Sequence, residues 1–264
     1  MGGLGIKAVE APAAVVAFYR SAFAAVALAA LFRPRRFPLR PGFLVAVASY
    51  AGCLITFVVA TKWTTAANAI FLQYSGVVWV LLAAPAVLGE PRRRRDLVAI
   101  GVALAGMALF FVGRLDLRGR AGDGVALLSS LLFAVLVLSL RRERGAAAES
   151  AVTFGNLAAA LALLPFVAGR LAVAPRSLLV LAVLGFFQLA GAYALFVRGL
   201  RHVAAAKASL IGMLEPIANP IWVAIGIGER PSGFAAAGGA IVLGAIAWRT
   251  LASGAPAPEA APPD

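Results

Sequence analysis

Charged side chains in this sequence come in bursts, and the stretches between them are apolar for about 17–24 residues at a time. A helix of that length crosses the roughly 30 Å hydrocarbon core of a bilayer. Open strands would leave their backbone groups unsatisfied in lipid. The chain is 62% hydrophobic and 13% charged, against roughly 45–50% and 25% in ordinary soluble domains. The pattern specifies an all-α polytopic membrane protein. A net charge of +13 would suit a nucleic-acid binder, but the basic residues stand at the ends of apolar runs, where membrane topology places them. The single cysteine, Cys53, excludes an intramolecular disulfide and any CxxC site; inside an apolar run, it reads as a small packed residue.

Residues Met1–Glu10 are too short and too polar to span, and no signal-peptide core precedes a cleavage site. Expected spans are Pro12–Phe32, Phe43–Thr61, Thr65–Leu88, Asp96–Gly113, Gly124–Leu140, Ala151–Gly169, Leu178–Val197, Ala208–Ile227 and Phe234–Leu251, nine in all. The tail SGAPAPEAAPPD is rich in Pro and Ala and is expected to be disordered.

The chain also repeats itself. Lys62, Ala66, Ala67, Ala69, Gly89 and Glu90 match Arg201, Ala205, Ala206, Ala208, Gly228 and Glu229 at a constant offset of 139. Past the Gly-Glu hinge, Ala99, Gly101 and Gly106 match Ala237, Gly239 and Gly244 at offset 138. A shared offset through a charged hinge indicates duplication. The expected organisation is a first repeat over 1–113, a link over 114–123, a second repeat over 124–252 and a tail over 253–264. Four full spans in one half and five in the other suggest that this sequence lacks most of one N-terminal helix, with Met1–Glu10 as its remnant. The alternative is a nine-span chain that starts outside the membrane.

With the link after Phe32 on the cytoplasmic side, the cytoplasmic links carry 15 basic residues (Arg33, Arg35, Arg36, Arg40, Arg92–Arg95, Arg141, Arg142, Arg144, Arg198, Arg201, Lys207 and Arg249). The other face carries eight: Lys7, Lys62, Arg114, Arg118, Arg120, Arg170, Arg176 and Arg230. This bias predicts a cytoplasmic C-terminus. The hinge GEPRRRRD has four arginines and its copy GERPSG has one. An odd number of spans separates them, so they lie on opposite faces, as in an inverted-topology repeat.

A helix reading TTAANAIFLQYSGVVWV and closing on LGE, followed by LVAIGVALAGMALFF, resembles the EamA domain, and so does the later LEPIANPIWVAIGIGERPS. The chain resembles an EamA-domain transporter of the drug/metabolite transporter superfamily over about Leu4 to Leu251. The resemblance implies two inverted five-helix repeats, a ten-helix plan, and a cavity lined by the first, third, fourth, sixth, eighth and ninth helices. It also implies export or exchange of small metabolites, often amino acids or related compounds. The first helix is largely absent here, and Val77 stands where the first repeat often has proline, so a straighter fourth helix is expected; the second repeat keeps Pro216.

Glu215 is an acid inside an apolar span, at a cost on the order of 2.5–3.5 kcal/mol at mid-bilayer. It reads either as a substrate or proton-coupling site or as a buried structural carboxylate. Pro216 beside it removes a backbone donor and frees a nearby carbonyl. Arg20 lies mid-span and is expected to snorkel to the interface, with substrate contact or balance of Glu215 as alternatives. Lys207, which matches Asn68, sits near a helix end and reads as interfacial. The substrate-cavity candidates are Arg20, Tyr50, Asn68, Gln73, Tyr74, Trp79, Gln188, Tyr193, Glu215 and Trp222, a polar-aromatic lining suited to amphipathic metabolites. Gly89, Glu90, Pro216, Gly228 and Glu229 read as structural hinges, and the steps Gly101–Ala105 and Ala240–Gly244 as helix-packing contacts.

One histidine, His202, one cysteine and 11 acids, mostly in links, assemble no metal cluster or His-based triad. No Walker sequence is present, and no cofactor is implied. The expected function is that of a secondary transporter in a bacterial cytoplasmic (inner) membrane, not an enzyme. Its partners would be a small-molecule substrate, the lipid bilayer and, through Glu215, protons, with no nucleic acid; a homodimer is left open. The alternative is a non-transporting membrane scaffold or a channel.

Overall fold

The computed structural model describes residues 5–6, 8–34, 37–91, 93–112, 120–217 and 232–251, and no strand occurs among them. The helices are α1 (Ala13–Phe32), α2 (Pro41–Trp63), α3 (Ala66–Tyr74), α4 (Gly76–Leu88), α5 (Arg94–Phe110), α6 (Arg120–Glu143) and α7 (Gly145–Val167). Then follow α8 (Pro175–Val183), a π-helical stretch (Leu184–Gly191), α9 (Ala192–Gly199), α10 (Ala205–Gly212) and α11 (Gly233–Leu251).

Local signals set the ends. Pro41 and Pro175 open α2 and α8, where the missing N–H costs nothing. The Thr65 hydroxyl caps α3 by accepting from the Asn68 N–H at 3.0 Å. Gly89 ends α4 at φ 68°, a left-handed conformation that glycine adopts without strain.

Among the described residues, seven helices are long and apolar enough to cross a membrane, two fewer than the nine expected spans. One difference is α5, which is 17 residues long and ends in a turn at Phe111. The other is the expected Ala208–Ile227 span, described only as α10 and one further helical turn, 214–217. Trp222, Gly228 and Glu229 lie outside the described residues.

The third expected span, Thr65–Leu88, which is the fourth helix of the ten-helix plan, is not straightened by Val77. It breaks at Ser75, whose hydroxyl donates to the Leu72 carbonyl at 2.6 Å, diverting that acceptor from the helical ladder next to Gly76. The copy breaks at Met213, between α10 and the 214–217 turn. Both breaks fall at the same place in the repeat, within one residue, although only the second has a proline nearby.

Counting back from the two hinges, α1 corresponds to α7, and α5 to α11. Each of these packs extensively against its own copy, α1 on α7 and α5 on α11. The largest contact between the repeats is α2 on α6. The α5–α11 crossing is closest at Gly106 and Gly238: a Cβ on Gly106 would stand 3.0 Å from the Gly238 carbonyl oxygen. Gly101 and Gly244, expected at that contact, have open space beside their Cα atoms. Outward positions such as Val26, Leu161, Phe187 and Leu195 are exposed apolar residues, the surface a lipid-facing helix presents.

The two ends of the bundle are closed by different chemistry. At the end with the more basic links, ion pairs join Glu90 to Arg141 (3.0 Å), Arg40 to Glu143 (2.7 Å), Arg201 to Glu149 (2.5 Å) and Arg249 to Asp96. At the other end Asp123 accepts from Thr64 Oγ1 at 2.8 Å and Asn68 Nδ2 at 3.0 Å, and Lys62 Nζ donates to the Val9 carbonyl at 2.7 Å.

Candidate functional site

Four side chains from four segments form one hydrogen-bonded line that runs from a buried cation to an exposed carboxylate. Arg20 of α1 is 3% exposed, and its Nη2 donates to Gln188 Oε1 at 2.8 Å. Gln188 Nε2 donates to Glu215 Oε1 at 3.2 Å, and Tyr74 Oη, on the last residue of α3, lies 3.3 Å from Glu215 Oε2. The orientation of the Gln188 amide follows from chemistry: a guanidinium only donates, so the atom facing it must be the oxygen. The amide therefore relays between a buried cation and the carboxylate.

The fold builds this line with three irregularities. Gln188 sits in the π-helical stretch, which rotates the following side chains relative to an α-helix. Gly185, one turn earlier, lets α1 come close: a Cβ there would stand 2.9 Å from the Arg20 carbonyl oxygen. Pro216 has no N–H for the Gly212 carbonyl four residues back. That carbonyl accepts from Tyr74 Oη instead, at 3.1 Å. The breaks of the two repeats thus meet, with Tyr74 ending α3 and Gly212 ending α10.

Arg20 does not snorkel. Its guanidinium is held inside the bundle, where Gln188 supplies an acceptor. Its Nε is buried without a hydrogen-bond partner, an orphan donor that carries a desolvation cost of about 1–3 kcal/mol. Glu215, by contrast, is exposed despite its partners, so its carboxylate faces open space.

A second group lies beside the line. Tyr50 is fully buried, packs edge-on to Tyr193 with ring centroids 4.6 Å apart, and accepts from Asn156 Nδ2 at 3.0 Å. Gly155 makes room for it, since a Cβ there would meet the Tyr50 side chain at 2.8 Å. Gln73 turns elsewhere, donating to Ser129 Oγ at 3.2 Å and approaching Cys53 Sγ at 3.6 Å. Asn68 is buried at the end of α3 against Asp123, away from the line. Trp79 is 43% exposed and makes no hydrogen bond or ring contact with these groups. Of the ten cavity candidates, the structure joins Arg20, Gln188, Glu215 and Tyr74, places Tyr50 and Tyr193 beside them, and sets Asn68, Gln73 and Trp79 apart, while Trp222 lies outside the described residues.

Sequence reasoning did not single out Asn156 or Ser129. Asn156 carried a signal, being an amide inside an apolar span; Ser129 did not, because small hydroxyl residues are common in membrane helices. Glu90 accepts from Arg141 Nε at 3.0 Å and from the Ala205 N–H at 2.9 Å, which places the first hinge against the N-terminus of α10. No group of three or more His, Cys, Asp and Glu able to hold a metal occurs among the described residues.

A sequence profile described as the EamA-like transporter family matches residues 4–112 and again 120–251. None of the curated proteins compared matches the chain. A solved structure described as "Crystal structure of protein" is similar in fold, with a TM-score of 0.78 at 18% identity over 96% of this chain and 93% of that one.

Proposed function

We propose a specific transport function for this chain, which belongs to the EamA-like transporter family. It is a secondary carrier that moves an amino acid-like metabolite across the bacterial cytoplasmic membrane by alternating access of its two inverted repeats. Export is the direction that the family resemblance implies. The C-terminus is cytoplasmic, on the side with the more basic links.

The observation that carries this reading is the pairing of an open carboxylate with a buried guanidinium on one line. Glu215 faces open space and accepts an ammonium group, while Arg20, with an orphan Nε, offers a donor to a carboxylate. Tyr193 beside them, backed by the buried Tyr50, supplies an aromatic surface for a side chain. A ligand with both charges satisfies both groups at once. Proton coupling enters through Glu215, the carboxylate that Tyr74 and Gln188 engage.

Counterflow in proteoliposomes, with a panel of labelled zwitterionic amino acids, tests it. Saturable, substrate-selective accumulation against preloaded unlabelled compound is expected. Fluxes equal to protein-free liposomes for the whole panel would remove the carrier reading in favour of a scaffold. Fast flux without counterflow would replace it with a channel.

A further inference from the structure

We propose that Tyr74 is a positioning residue that converts protonation of Glu215 into a change at the break of the helix carrying it. This rests on the reading that Glu215 takes part in transport. It adds a residue and a mechanical consequence to that reading.

Arg20 fixes the Gln188 amide, so Gln188 Nε2 faces Glu215 Oε1 at 3.2 Å, and Oε1 is an acceptor in either protonation state. A proton on Glu215 therefore sits on Oε2, which faces Tyr74 Oη at 3.3 Å. Tyr74 has one hydroxyl hydrogen and two acceptors within reach, Oε2 and the Gly212 carbonyl at 3.1 Å. It cannot serve both fully.

When Glu215 is ionised, the hydroxyl hydrogen turns to the carboxylate, because a hydrogen bond to a charged oxygen is the stronger. The Gly212 carbonyl, which Pro216 already leaves without a helical donor, then loses its substitute. When a hydronium ion gives its proton to Oε2 and leaves as water, that hydrogen is shared with the Tyr74 oxygen as a hydrogen bond, and the tyrosine hydrogen returns to Gly212. One O–H breaks on hydronium, one forms on Glu215, and no other covalent bond changes. Loading with a proton thus fastens the end of α3 to the end of α10 at their two breaks, and release loosens them. The charged and titratable groups that face Glu215 among the described residues are Arg20 from α1, Tyr74 from α3 and Tyr193 from α9.

Hydrogen–deuterium exchange of the full chain in nanodiscs, at pH values below and above the transition of the Glu215 carboxyl band followed by infrared difference spectroscopy and corrected for intrinsic rates, reads this directly. The peptide covering α10 and residues 214–217 is expected to be about two- to tenfold better protected on the acid side, the span of one net hydrogen bond. Tyr74→Phe and Glu215→Gln should each abolish the pH dependence. A Tyr74→Phe protein that keeps the wild-type dependence overturns the inference. Infrared difference spectra of wild type against Glu215→Gln separate this from the underlying reading. A carboxyl band that titrates while Tyr74→Phe keeps the dependence removes Tyr74 alone; absence of any titrating band removes proton coupling at Glu215, and the inference with it.

Discussion

The carboxylate of Glu90 accepts a hydrogen bond from the backbone N–H of Ala205 at 2.9 Å, 115 residues away in sequence. Its other oxygen accepts from Arg141 Nε at 3.0 Å, and Arg141 Nη1 donates to the carbonyls of Leu200 and Arg201 at 2.8 and 3.1 Å. One acid and one base thus satisfy the N-terminus of α10 and the carbonyls that end α9. Both sites favour the charge they receive, an anion at a helix N-terminus and a cation at a C-terminus.

Removing that cap has a graded outcome. Glu90→Ala loses both the helix cap and the ion pair, and is expected to lower stability in detergent by about 1–3 kcal/mol. Glu90→Gln keeps an acceptor for the Ala205 N–H and loses the charge, so it should fall between the two. Thermal unfolding of the three proteins in one detergent checks the order.

The pair between Asp96 of α5 and Arg249 of α11 is nearly enclosed, with 9% and 5% of the side chains exposed. Asp96→Ala leaves a buried guanidinium without this partner and is expected to cost about 3–5 kcal/mol. The double change Asp96→Ala with Arg249→Met removes the stranded charge as well and should recover much of that loss. The yield of folded protein and its melting temperature report both.

Gly238 and Gly244 lie on the same helix and predict opposite results. A Cβ on Gly238 would press into the backbone of α5 at Gly106 and Phe110, so Gly238→Ala must separate the two helices, at about 1–3 kcal/mol. Gly244 has open space beside it, so Gly244→Ala is expected to be neutral or slightly stabilising through helix propensity. Melting temperatures of the two variants distinguish them.

Tyr50→Phe removes the acceptor for Asn156 Nδ2, which keeps its second bond to the Val152 carbonyl at 2.9 Å. The loss is expected to be about 1 kcal/mol, because one donor hydrogen remains satisfied. Gly155→Ala should be worse, since it displaces the whole Tyr50 ring. The same melting assay reads both.

The helical class and the repeat were legible because they are written in one-dimensional periodicities: the length of apolar runs, a constant offset and the placement of arginines. Glu215 was legible for the same reason, as an acid where the pattern demands an apolar residue. Its partners were less so. Arg20 and Gln188 are 168 residues apart, and only the approach of α1 to the π-helical stretch at Gly185 shows that they meet. The break at Ser75 was hidden because serine breaks a helix only when its hydroxyl turns back on the preceding turn, a choice made by packing. The expected contact at Gly101 and Gly244 failed because the motif fixes which faces are smooth, and not which of them meets a neighbour.

The central claim is that Arg20 and Glu215 hold the two ends of the cargo. Counterflow of a zwitterionic amino acid by wild type, Arg20→Met and Glu215→Gln, with folding checked by detergent melting, tests it most directly. Each variant is expected to lose flux at sub-saturating substrate by about 10- to 150-fold, the worth of a hydrogen bond to a charged group. Folded variants that transport the amino acid with wild-type kinetics would contradict it.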